Sequence, residues 1–140
     1  MKNEEDLSAK EVLLRLFRCF CGKSRGLSNT GFNKLCRQTP KLYTPTFTAT
    51  DTDIIFAGVA SSRKLDFARF LEAMALLADR KFPDSAPLEA FALFLREYLF
   101  RIPVNGDEYT RPTWDRLIDD LRGQRDNNIQ QILRDQRELY

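Results

Sequence analysis

The sequence predicts an all-α fold, one compact helical domain, and three observations carry that expectation. Apolar side chains recur at helical spacing in six successive segments, residues able to cap a helix stand before most of them, and proline or glycine closes most of them. The 140 residues, 43% hydrophobic, suit a single domain. A chain of this size buries roughly two thirds of the surface that its unfolded form exposes. The expected organisation is a flexible start over residues 1–7, a helical core over 8–125 and a helical tail over 126–140.

The first helix is expected to start at Ser8, capped by that hydroxyl with Glu11 reaching back, and Val12, Leu13, Leu16, Phe17 and Phe20 form its apolar stripe. Gly22 and Gly26 bracket a loop. Asn29 or Thr30 is then a cap for a short helix with Phe32, Leu35 and Cys36 inward, Lys34 and Arg37 outward, and Pro40 at its end. Leu42 to Phe47, rich in Thr, Tyr and Pro, reads as an ordered loop. Thr48 or Thr50 caps a third helix containing Ile54, Ile55, Phe56 and Val59, with Asp51 and Asp53 in the first turn, where they complement the helix dipole.

A short extended piece, Arg63 to Leu65, leads to Asp66 as cap of a helix whose Phe67, Phe70, Leu71, Met74, Leu77 and Ala78 belong to the core. Pro83 stops it. Asp84 or Ser85 is the expected start of the next helix, with Leu88, Phe91, Ala92, Leu95, Tyr98 and Leu99 inward and Pro103 closing it. After the turn-rich Pro103 to Thr110, the residues Trp114, Leu117, Ile118 and Leu121 repeat at helical spacing up to about Gly123. Ile129, Ile132, Leu133 and Tyr140 continue the pattern more weakly.

Two helix, loop, helix units of similar shape look like paired EF-hands. In each, a loop hydrophobe precedes the second helix, Leu27 in one and Leu65 in the other, as a short antiparallel strand pair requires. Calcium needs six to eight hard oxygens, with carboxylates at the first and last loop positions. Placing Leu65 eighth gives a loop from Gly58 to Arg69, with Ala60 and Ser62 where acids or amides belong and Arg69 in place of the bidentate glutamate. Placing Leu27 eighth gives Phe20 to Gly31, with Gly22, Ser24 and no carboxylate. Both loops are therefore expected not to bind calcium, and no metal or other cofactor is expected.

Composition narrows the chemistry further. The chain has no histidine, which removes the usual general base and the commonest metal ligand at neutral pH. No glycine-rich phosphate-cradling loop is present among its six glycines. Cys19, Cys21 and Cys36 are odd in number and read as free thiols; Cys19 and Cys21, two apart on a helix, point about 160° away from each other and cannot converge on one metal. An enzyme is not expected. No apolar run reaches the roughly 20 residues that span a bilayer, and the acidic start at Met1 to Asp6 does not resemble a secretory signal, so a cytoplasmic protein without membrane attachment is expected.

The net charge of +2 hides an asymmetry. Over residues 10–41, Lys10, Arg15, Arg18, Lys23, Arg25, Lys34, Arg37 and Lys41 stand against Glu11 alone, a local excess of +7 that attracts an anionic partner or simply keeps the surface soluble. Nucleic acid is not the expected partner, because Phe17, Phe32 and Phe56 lie on helical core stripes rather than where they would stack exposed bases; Tyr43 and Phe47 are the exceptions.

Three stretches carry a resemblance: Lys34-Leu35-Cys36-Arg37, then Thr48 to Phe56, then Leu65-Asp66-Phe67-Ala68-Arg69-Phe70 followed by Ala73, Leu77-Ala78 and Lys81-Phe82. In this order and spacing, over about Leu13 to Phe82, the chain resembles the tubulin polymerization-promoting protein family. The resemblance implies an EF-hand-like helical core that has lost calcium binding, and association with tubulin that promotes polymerization or bundles microtubules. It implies a cytoskeletal location, the cilium or flagellum among the possible settings. Beyond Phe82 the match weakens, although Leu88 to Phe100 still fits a further family helix. The chain then ends in Trp114 to Tyr140 instead of the glycine-rich, basic tail of typical members, a departure that bears on bundling.

The expected function is thus tubulin and microtubule binding through a basic patch of Lys23, Arg25, Lys34, Arg37 and Lys41. The alternative is a cytoskeletal adaptor that uses Trp114 or the last helix without touching tubulin. Nucleotide hydrolysis, ascribed to the family, lacks both a phosphate loop and a histidine here.

Overall fold

The structure, a computed structural model, describes residues 8–102 and 114–123. Residues 1–7, the turn-rich stretch from Pro103 to Thr110 and the tail 126–140 with Ile129, Ile132, Leu133 and Tyr140 lie outside the described residues. Within them the fold is all-α, as expected: six helices and one two-stranded antiparallel sheet.

Helix α1 (Ala9–Cys21) starts where its cap predicts, with the Ser8 hydroxyl oxygen accepting from the Glu11 amide at 3.2 Å. Val12, Leu13, Leu16 and Phe17 are buried, while Lys10, Arg15 and Arg18 are exposed on the opposite side. Strand β1 (Leu27–Ser28) leads directly into α2 (Asn29–Gln38). The cap of α2 is Ser28, not Asn29 or Thr30. Pairing of Leu27 keeps Ser28 extended, so its hydroxyl oxygen, as good a cap as an Asn side chain, reaches the Gly31 amide at 3.1 Å one residue before the expected cap.

The loop after α2 is ordered, as expected. The Thr39 hydroxyl donates to the Leu35 carbonyl at 2.8 Å, and Thr44 and Phe47 exchange backbone hydrogen bonds of 2.9 and 3.2 Å. Helix α3 (Ala49–Val59) follows Thr48, whose amide donates to the Asp51 carboxylate at 2.8 Å. Ile55, Phe56 and Val59 enter the core, but Ile54 is 63% exposed. Strand β2 (Lys64–Leu65) pairs with β1 in the expected place, Leu27 opposite Leu65 and Ser28 opposite Lys64. Both leucines are fully buried beneath the strand pair.

Helix α4 (Phe67–Lys81) is capped by Asp66, which accepts from the Arg69 amide at 2.8 Å. It packs against both α3 and the next helix, α5 (Pro87–Glu97). That helix starts at Pro87, later than the expected Asp84 or Ser85, because proline's fixed φ and missing N–H suit the first helical position. It also stops before Pro103: Tyr98 leaves the helical conformation and Leu99–Arg101 tighten into a 3-10 turn. Helix α6 (Trp114–Gly123) buries Leu117 and Leu121 and packs on α5 and α1, where the Asp120 carboxylate accepts from the Ala9 amide at 3.2 Å.

The core lies between these helices and is rich in phenylalanine. Phe17 of α1 sits 5.5 Å from Phe67 and 5.2 Å from Phe70 of α4, and Phe32 of α2 sits 5.5 Å from Phe56 of α3. Each buried ring contributes roughly 1.5–3 kcal/mol through area removed from water. This leaves the polar sides of α1 and α2, and the loops between the paired units, free to carry function.

Candidate functional site

The two loops that resemble metal sites are occupied by the protein's own groups. In the second, Ser61 and Lys64 exchange backbone hydrogen bonds of 2.9 and 3.1 Å around Ser62 and Arg63, whose φ values of 53° and 64° give a tight hairpin-like turn. The Lys64 carbonyl, at the loop position that offers a backbone ligand in calcium loops, thus already accepts an amide. Arg69, at the position of the bidentate glutamate, donates from its guanidinium to the Val59 carbonyl at 2.8 Å. A cationic side chain stands across the loop where a cation's ligand belongs.

The first loop is closed by close approach instead. A Cβ on Gly31, the last loop position, would lie 2.6 Å from the carbonyl oxygen of Phe20, the first position, and 2.8 Å from Leu27 Cδ1. The ends of this loop touch, and only glycine fits between them. Among the described residues no group of three or more Cys, Asp or Glu side chains could hold a metal.

The three cysteines differ in exposure. Cys19 is exposed, Cys21 half-buried and Cys36 buried, all with free thiols. Burial pushes the Cys36 thiol up to about 12, only partly opposed by a hydrogen bond with Tyr43, so it is not a nucleophile at neutral pH. The Tyr43 hydroxyl also lies 3.0 Å from Thr52 Oγ1. Tyr43 and Phe47, the aromatics outside the helical stripes, are therefore engaged within the fold: Phe47 is buried under the Lys81 ammonium, 4.6 Å from its centroid, and the Arg80 guanidinium, 5.7 Å away.

The basic residues singled out in the sequence fall into three places. Lys23 and Arg25 are exposed in the loop between α1 and β1. Lys34 and Arg37 are exposed on the outer side of α2, one turn apart, because Phe32, Leu35 and Cys36 commit the inner side to the core. Lys41 is exposed after the turn that ends α2, with φ 62°, on the rim of a pocket shared with Phe82 and Tyr98. Together with Lys10, Arg15 and Arg18 they make eight exposed cations, and none forms an ion pair among the described residues.

Strand pairing adds a residue that the sequence reading passed over. Lys64 reaches across from β2 to donate to the Ser24 hydroxyl at 2.7 Å, which brings its charge beside Lys23 and Arg25 although 40 residues separate Lys64 from Ser24. The expected pairing of Leu27 with Leu65 already contained this signal, since it sets Lys64 opposite Ser28.

The described fold is thus a helical domain in which two coupled helix, loop, helix units hold no metal-ligand cluster and present unpaired positive charge. The p25-alpha family model matches residues 15–102, more than half of the chain, and the protein belongs to that family. It is 36% identical over 66 residues to tubulin polymerization-promoting protein family member 2 of Bos taurus, covering 46% of this chain and 39% of that protein. To the Mus musculus protein of the same name it is 35% identical over 69 residues, covering 48% of this chain and 41% of that protein. The matched segment spans about two fifths of each relative's length. The family match runs through α5 to Ile102, further than the three stretches that carried the resemblance. No solved structure matches.

Proposed function

We propose that this protein is a non-enzymatic, microtubule-associated cytoskeletal protein that binds tubulin and promotes or organises its assembly. The observation that carries the reading is the set of eight exposed cations without ion-pair partners among the described residues, in a family whose relatives are named for tubulin polymerization. The microtubule surface is acidic, and attraction between surfaces of opposite sign steers encounter and fixes orientation. The core is read as an EF-hand-like pair whose loops are held shut by protein groups, so that charge rather than calcium governs association. A cytoplasmic, cytoskeletal location follows from this reading.

A second reading, an adaptor without tubulin binding, is favoured by one feature. Half-exposed Trp114 and Ile118 share a pocket of about 500 Å³ with Glu89, Asp115, Asp119 and Arg122, three carboxylates to one guanidinium, with the Arg96 guanidinium over the Trp114 ring. Co-sedimentation of the whole chain with stabilised microtubules separates the two. Pelleting that weakens as salt rises supports tubulin binding, and a protein that stays in the supernatant at low salt supports the adaptor.

A further inference from the structure

A pocket of about 560 Å³, lined by Pro40, Lys41, Phe82, Glu97, Tyr98 and Arg101, lies where the end of α2 meets the end of α5. Its floor is aromatic and fixed. Tyr98 is stacked on Phe94 with centroids 5.5 Å apart, and Phe82 meets it edge-on at 6.0 Å. Its rim is cationic. Lys41 is held there by the turn in which the Leu42 amide donates to the Thr39 carbonyl at 3.3 Å, and the Lys81 ammonium stands 5.6 Å from the Tyr98 centroid.

The charges around this pocket do not balance. Glu97 accepts from Arg96 at 2.8 Å and from Arg101 at only 3.4 Å, longer than a strong charge-assisted bond of about 2.7–2.9 Å, so the Arg101 fork retains donors for another carboxylate. Neither Lys41 nor Lys81 forms an ion pair among the described residues. Three cations, Lys41, Lys81 and Arg101, therefore stand around the pocket with one carboxylate, Glu97, which Arg96 also engages from the side where it covers the Trp114 ring. Burial moreover lowers the pKa of Lys81, so a carboxylate that seats beside it relieves a desolvated charge.

We infer that this pocket is a seat for a glutamate-rich extended peptide, whose carboxylates pair with Lys41 and Arg101 while its methylene groups lie on Phe82 and Tyr98. The inference rests on the microtubule reading for the source of such a peptide, an acidic tail of tubulin, but not for the pocket's chemistry. A nucleotide fits less well: with Phe94 stacked on one face of Tyr98 and Lys81 near the ring, Tyr98 meets the pocket by its edge, which suits methylene groups but not a stacked base. A cavity of this size lies within the range that takes small ligands and admits a few side chains.

The test is a titration of the isotope-labelled 140-residue chain with a hexaglutamate peptide at low salt, followed by amide chemical shifts. The expected result is that Lys41, Tyr98 and Arg101 shift together. Lys41→Glu combined with Arg101→Gln should weaken binding by about tenfold, two exposed pairs at a few-fold each, while Arg63→Glu, exposed in the turn before β2 and outside the proposed binding residues, changes it less than about twofold. Shifts confined to Lys23–Arg37, a double variant that binds like wild type, or shifts with GTP and not the peptide would overturn the proposal. So would a pocket that accepts the peptide only after Asp107→Asn and Glu108→Gln, since the occupant is then the chain's own acidic segment. Parallel co-sedimentation keeps the two claims apart. Peptide binding without microtubule binding sinks the proposed function and leaves the pocket, and the reverse sinks the pocket alone.

Discussion

The guanidinium of Arg69 donates to the Val59 carbonyl at 2.8 Å, so a fixed cation spans the loop at the position where a calcium-binding loop carries its bidentate glutamate. Calcium should therefore leave stability unchanged. A bound ion at a hundredfold excess over its dissociation constant would add about 2.7 kcal/mol. Melting curves in millimolar calcium and in chelator are expected to superimpose, and a reproducible rise reversed by chelator would contradict this account. Arg69→Glu should not restore binding either, because Gly58, Ala60 and Ser62 still supply no carboxylate.

Gly31 and Gly58 respond oppositely to the same substitution. A Cβ at Gly31 meets the Phe20 carbonyl at 2.6 Å, whereas at Gly58, near the end of α3, it meets nothing within 4 Å. Gly31→Ala should destabilise by about 1–3 kcal/mol through overpacking, and Gly58→Ala should stabilise by up to about 1 kcal/mol through helix propensity. Denaturant midpoints measure both. Equal signs for the two variants would show that the first loop is not closed as described.

Asp51 links acid stability to the start of α3. The Thr48 amide holds its carboxyl below the usual carboxylate range, and the Arg80 guanidinium at 3.0 Å adds to this. A carboxyl depressed in the folded state stabilises above its unfolded pKa of about 4, and loses that contribution as pH falls through the lower folded value. The difference in melting temperature between wild type and Asp51→Ala should be constant from pH 7 to 5 and shrink below about pH 4. A difference that vanishes by pH 6 would show another group at work.

Much of this was legible in the sequence, and the exceptions have physical causes. The Ser8 and Asp66 caps, the core stripes and the Leu27–Leu65 pairing all follow from periodicity and capping chemistry. The cap of α2 moved to Ser28 because strand pairing holds that residue extended, and α5 began at Pro87 because proline suits the first turn better than Asp84 or Ser85. Ile54, which reads as apolar within its helix, points outward because Ile55, Phe56 and Val59 already fill the inward side of α3. Of the basic surface, Lys34 and Arg37 could be assigned to the outer side of α2 from spacing alone. Lys64 could be placed only through the expected strand pairing, and Lys81 not at all, since a tertiary contact with Phe47 places it; Arg101 lies after the helical stripe of α5, in a 3-10 turn that spacing did not indicate.

Helix α6 packs into the buried core. Leu117 and Leu121 are 0% exposed, and Asp120 binds the first turn of α1. Leu117→Ala should cost about 2–5 kcal/mol, as buried leucine truncations do. A chain ending at Arg125 should keep its melting temperature within about 2 °C, because the weak apolar pattern of 126–140 gives little to bury and ~1 kcal/mol moves a domain of this size by a few degrees. The reverse ranking of these two changes would place the tail, not α6, in the core.

Positive charge on α2 is the proposed carrier of microtubule binding. Lys34 and Arg37 are exposed, and surface substitutions of this kind usually change stability by no more than about 0.5 kcal/mol. Their effect on binding should be large and screened by salt, over about 10 Å at 0.1 M. The decisive measurement is co-sedimentation of Lys34→Glu/Arg37→Glu with microtubules, alongside wild type, before and after removal of the acidic tubulin tails, with the melting transition checked first. The expected result is an unchanged transition, binding of the variant reduced severalfold, and a comparable loss for wild type when the tails are removed. A charge-reversed protein that pellets like wild type would contradict it and point to the acidic surface around Trp114 instead.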